Sequence, residues 1–133
     1  MAGGFDSLSG LWNGQFTFPR VYEPEFFTAN LLETADFLGG SIQEVVRNGR
    51  SKGETMYATI SGVREGAKVS FRKTYESAPR THSVFYEGVV NADGTEIEGS
   101  WSIPGNWSGR FLMLRETGKS EAVTRRVAEK SPG

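Results

Sequence analysis

Between Leu8 and Glu116 the chain repeats one pattern, short runs in which apolar and polar residues alternate, each ended by a turn. A period of two places successive side chains on opposite faces of an extended strand, so each run has one face to bury. The spacing predicts about eight strands, at residues 8–18, 25–33, 37–46, 54–62, 67–75, 83–91, 95–103 and 108–116. No stretch before Gly118 carries a useful length of helical spacing. A sheet without helical cover must pack on another sheet or close on itself, and closure also removes its exposed edges. Short connections favour pairing between consecutive strands. The expected fold is all-β, an antiparallel up-and-down barrel of about eight strands. It fills one domain, residues 1–116, with a polar tail at 117–133.

The turns have a mechanism. The chain has 17 glycines without a collagen-like period, and Asn48-Gly49, Glu65-Gly66, Asp93-Gly94 and Pro104-Gly105 place glycine where positive φ is needed. The alternation then assigns faces. Leu8, Gly10, Trp12, Gly14, Phe16 and Phe18 share one face of the first run. Val69, Phe71, Lys73 and Tyr75 share one face of the fifth, and Ile97, Gly99, Trp101 and Ile103 one face of the seventh. In the last run Trp107, Gly109, Phe111 and Met113 lead to Arg115, a cation at the end of an otherwise buried row.

Composition narrows the function classes. Nine Phe, four Tyr and three Trp in 133 residues supply enough apolar matter for a folded core. The formal charge is −1, and the cationic pairs Arg72-Lys73 and Arg125-Arg126 sit apart in mixed-sign surroundings, which argues against nucleic acid. No apolar run reaches membrane-spanning length, so no membrane span is expected. The absence of cysteine removes thiol nucleophiles and thiolate metal sites. With the amino end lacking a basic and then hydrophobic leader, it points to a cytoplasmic protein.

Ser9-Gly10-Leu11-Trp12 near the amino end, together with Arg115 in the last run, resembles the Gly-x-Trp and terminal-arginine pairing of the calycin families, namely lipocalins, fatty-acid-binding proteins and avidins. The resemblance implies a calycin-type barrel in which Trp12 plugs the closed end and Arg115 stacks across it. Within that group, Phe71 to Tyr75, Phe85 to Gly88, Gly99 to Trp101 and Gly109 to Phe111 are similar in order to the strands of avidin-like barrels. Phe71 and Tyr86 stand where that family has pocket tryptophans, Trp101 is retained, Gly109 replaces an aspartate, and Asn13 lies beside the asparagine position. The resemblance therefore implies the fold and not biotin as ligand.

Two readings of the interior stay open. Trp12, Trp101 and Phe111 suit a filled barrel as well as a cavity lining. The inferred inner faces also carry Asn30, Glu44, Lys73, Tyr75 and Glu87, and buried charge is costly unless paired. Either Lys73 pairs with a carboxylate near the barrel mouth, or these groups meet a polar ligand. The first expectation is a small-molecule-binding barrel whose pocket opens opposite Trp12. Its lining would comprise Phe16, Phe18, Asn30, Glu44, Phe71, Lys73, Tyr75, Phe85 and Trp101, its partner a small hydrophobic or amphipathic molecule, with no cofactor or metal. The second is a filled barrel that forms a homo-oligomer through outer aromatics such as Phe27, Tyr57 and Tyr86. The third is an enzyme using Glu44 or Lys73 as a mouth acid or base. Histidine chemistry is thin, because His82 is the only histidine and lies in a loop segment where a solvated role is common. A haem barrel with a similar Gly-x-Trp-x-Gly start would need His82 as its ligand. Glu96 and Glu98 alternate with Ile97 and read as a solvent face.

Overall fold

The computed structural model describes residues 7–19, 23–35, 37–76, 82–105 and 107–116, so the tail at 117–133 lies outside the described residues. Eight strands follow in chain order: β1 (Gly10–Phe16), β2 (Glu25–Thr34), β3 (Phe37–Val45), β4 (Thr55–Glu65), β5 (Lys68–Tyr75), β6 (Ser83–Val90), β7 (Glu96–Ser102) and β8 (Ser108–Arg115). Each pairs antiparallel with the next, and β1 pairs with β8, closing the barrel without a crossover. The four glycines of the expected turns, Gly49, Gly66, Gly94 and Gly105, all have positive φ.

Alternation holds around the barrel. Trp12, Phe16, Phe27, Ala29, Leu31, Ile42, Ala58, Ile60, Val69, Phe71, Val84, Tyr86, Ile97, Trp101, Phe111 and Met113 are buried and form one cluster. Large and small side chains meet across strands: Trp12 opposes Ala29, and Phe27 opposes Gly14, whose missing Cβ leaves the place where the Phe27 ring lies. Such complementarity lets aromatic rings pack inside a narrow barrel at interior density.

One end is plugged. Trp12 is fully buried, its indole Nε1 donates to the Leu8 carbonyl at 2.9 Å, and the Arg115 guanidinium lies 5.5 Å from the ring centroid. Arg115 also donates to the carbonyls of Ser9 (2.7 Å) and of Gly94 in the β6–β7 turn (3.2 Å). The Glu33 carboxylate accepts from the Leu8 amide at 2.8 Å and from Arg64 at 2.6 Å, which ties the entry of β1 to β2 and β4. The cation thus joins the chain's first strand to its last and covers the plug.

Several expected faces are corrected. Asn30 is exposed, because β2 turns Glu25, Phe27, Ala29 and Leu31 inward. Phe85 (42% exposed) and Glu87 face outward, because β6 turns Val84, Tyr86 and Val90 inward. Phe27 and Tyr86, expected on the outside as oligomer contacts, are 5% and 2% exposed, whereas Tyr57 is indeed outside at 52%. Among the described residues no helix is long and apolar enough to cross a membrane.

Candidate functional site

The end opposite Trp12 is the one where β1–β2, β3–β4, β5–β6 and β7–β8 connect. Its two sides differ. On the β2–β3 side the Asn48 side chain accepts from the Glu23 amide at 3.0 Å and donates to the Glu23 carbonyl at 2.8 Å, mimicking a strand partner. The fully buried Glu25 carboxylate accepts from the Arg47 amide at 2.9 Å. The Arg47–Glu23 ion pair at 3.0 Å is exposed on both sides and adds little. Asn48→Ala removes both Glu23 contacts, so about 1–2 kcal/mol of stability should be lost, with hydrogen exchange at the Glu23 amide accelerated more than at the amides of β2. Unchanged exchange there would mean that the two loops are held by other contacts.

The β5-to-β1 side holds a cavity of about 270 Å³. β1 contributes Phe16 and, beyond its last residue, Phe18. Thr17 between them donates its amide to the Arg110 carbonyl at 2.8 Å, continuing the β1–β8 ladder. Trp101 comes from β7, its indole Nε1 donating to the Thr17 carbonyl at 2.9 Å. Gly109 faces Trp101 across the ladder, and a Cβ there would come within 2.6 Å of that same nitrogen. Glycine at this position thus makes room for the indole. The β7–β8 turn, closed by Ile103 N–H donating to the Trp107 carbonyl at 2.9 Å, brings Ile103 and Trp107 to the rim. Phe18, Trp101 and Trp107 stand 5.2 to 5.8 Å apart, the pairs Phe18–Trp101 and Trp101–Trp107 meeting edge to face. Val84 and Tyr86 of β6 complete the wall, and His82 at the rim lies 5.3 Å from the Tyr75 ring.

At the inner end the polar groups converge. Lys73 Nζ donates to Glu44 Oε2 at 3.0 Å, and the Tyr75 hydroxyl donates to Oε1 of the same carboxylate at 2.6 Å. The ion pair joins β3 to β5 across the inner face of β4, where Ala58, cross-strand from Tyr75, is a small residue in their path. The ammonium is boxed by rings, 4.4 Å from the Phe16 centroid, 4.7 Å from Tyr75 and 5.3 Å from Tyr86. Both charged side chains are almost fully buried, at 1% and 0% exposure. Such a pair persists because charge, hydrogen bonds and quadrupoles all compensate the lost hydration.

Of the residues expected to form a pocket, Phe16, Phe18, Lys73, Tyr75 and Trp101 do lie on the cavity wall. Glu44 sits behind Lys73 and does not reach the wall. Phe71 is deeper, stacked on Tyr86 at 4.9 Å with the rings 7° from parallel. Asn30 and Phe85 lie on the outer surface and take no part. His82, Val84, Tyr86, Ile103 and Trp107 also line the cavity, outside the set expected for a small-molecule pocket. The signal for Val84 and Tyr86 was their shared parity with Val90, and for Trp107 its place in the buried row of β8.

Fold and site together define the class of protein: a closed eight-stranded antiparallel barrel, plugged at one end by a tryptophan–arginine stack, with an aromatic cavity at the other. Compared with known proteins, the sequence matches no protein-family model and no curated protein.

Proposed function

We propose that this barrel binds a small hydrophobic or amphipathic molecule at its open end, in the manner of the calycin families. The observation that carries the reading is the aromatic-walled cavity of about 270 Å³ placed opposite the plugged end. An interior designed only for stability would fill that space, since each unfilled volume forfeits dispersion contacts. Concave, mostly apolar sites with a few placed polar groups are the usual form of small-molecule sites, and Lys73 and Tyr75 supply the polar part here. The chemistry of this reading is recognition, with the Glu44 carboxylate bonded to Lys73 and Tyr75 and absent from the cavity wall.

Native mass spectrometry of freshly purified protein, followed by denaturing extraction, tests the reading. The expected spectrum shows an adduct of a small molecule that is lost on denaturation and displaced by aromatic probes, accompanied by a change in tryptophan emission from Trp101 and Trp107. Protein that carries no adduct and whose emission responds to no apolar probe would falsify it.

Self-association is a second reading, supported by a different observation. Leu32 (61% exposed), Val63 (49%) and Phe37 (45%) lie on the outer faces of adjacent strands β2, β3 and β4, with the Phe37 ring lying over Gly39, the cross-strand partner of Leu32. The same spectrum reads the subunit count.

A further inference from the structure

Resting on the binding reading above, we infer that the cavity takes a compact planar aromatic molecule with an anionic or hydrogen-bond-accepting group at its inner end, and that it does not take a long-chain lipid. Three independent features lead there. The first is depth. Below the cavity the barrel is solid: Phe71 and Tyr86 stack face to face, and Phe111 meets both edge-on, at 6.3 and 5.0 Å. Ile97 and Met113 lie beyond them with no exposed surface. A Cβ at Gly88 would come within 2.8 Å of Phe111 Cζ, so the ring occupies even the space left by that glycine. An acyl chain entering the mouth has no tunnel to follow. The volume of about 270 Å³ lies at the small end of small-molecule sites, which suits one or two fused rings.

The second feature is the wall. Phe18, Trp101 and Trp107 form a group of mutually inclined rings, and the Trp101 indole N–H is already committed to the Thr17 carbonyl. What this wall offers is ring faces and edges, for which a planar aromatic body is the best complement.

The third is the sign of the charge at the inner end. Lys73 and Tyr75 line the cavity, whereas the Glu44 carboxylate, which accepts from both of them, does not. The innermost atoms of a ligand therefore meet the cationic side of the ion pair, with the carboxylate farther off. That ordering attracts an anion or a carbonyl oxygen and repels an ammonium group. Because Lys73 is only 1% exposed, just the deepest atoms of the ligand reach it.

Four probes separate these features: 2-naphthoate, 2-methylnaphthalene, 2-naphthylmethylammonium and palmitate, each titrated by calorimetry and tryptophan emission against the full chain. The expected order is naphthoate tightest, methylnaphthalene weaker, and the ammonium and palmitate each weaker than naphthoate by at least about tenfold. In the double variant Lys73→Met with Glu44→Leu, which removes both charges together, naphthoate should fall to the affinity of methylnaphthalene while methylnaphthalene itself is retained. Equal binding of ammonium and carboxylate probes would overturn the charge ordering. Palmitate binding as tightly as naphthoate would overturn the inference while leaving the binding reading intact. Failure of all four probes would overturn this inference, and only together with a native mass spectrum free of any adduct would it remove the binding reading as well.

Discussion

Replacing Glu44 with leucine should lower the unfolding free energy by about 3–5 kcal/mol, because it leaves the Lys73 ammonium in the barrel without its counter-ion. The carboxylate has two jobs: it accepts from Lys73 at 3.0 Å and from the Tyr75 hydroxyl at 2.6 Å. Part of the loss is softened by the rings of Phe16, Tyr75 and Tyr86 around the ammonium, each worth a fraction of the Coulombic attraction. The informative comparison is a cycle in urea with Glu44→Leu, Lys73→Met and both together. The double variant is expected to recover most of the loss, since an apolar pair of similar volume needs no compensation for dehydration. A double variant that is as unstable as the sum of the two singles would show that the charges act independently and that the ion pair contributes no coupling.

The second large effect is expected at the other end. Trp12→Ala should cost about 3–5 kcal/mol, the range for truncating a buried aromatic. The side chain has no exposed surface, and its loss also removes the ring beneath the Arg115 guanidinium and the hydrogen bond to the Leu8 carbonyl. The guanidinium would keep its bonds to Ser9 and Gly94, so the barrel seam is expected to hold while its end loosens. Urea unfolding measures the loss. Because Trp12 does not line the cavity, the dissociation constant for 2-naphthoate in the folded variant should stay within about twofold of the parent, as expected for sites with no shared partners. A large change in affinity would mean that the plug and the cavity are coupled through the core.

The two ends of the barrel were legible to different degrees, and the reason lies in how local each signal is. Trp12 and Arg115 are far apart in the chain, yet each carries its own mark: a tryptophan in a Gly-x-Trp opening and a cation at the end of a buried row. The cavity is assembled from the ends of β1, β5, β6 and β7 with the turn before β8, and no short segment shows that they converge. Lys73 and Glu44 were both recognisable as charges on inner faces. That they pair with each other, and that Tyr75 joins them, follows from side chains reaching over β4.

What the sequence by itself determined is the set of strands, their turns and the interior faces wherever one parity is plainly apolar, as in β5 and β7. Alternation and glycine placement are local properties of the chain, so they need no partner to be read. What the tertiary structure alone decided is the inward face of β2 and β6, where both parities carry apolar residues: Phe26 and Leu32 rival Phe27 and Leu31, and Phe85 and Val89 rival Tyr86 and Val90. In an antiparallel pair, directly opposite residues share a face, so register settles the choice. Trp12 opposite Ala29 sends Asn30 outward, and Tyr86 between Phe71 and Trp101 sends Phe85 outward beside Arg72. Register is a property of two strands at once, which is why the position of Tyr86 inside the cavity wall became visible only when the barrel was closed.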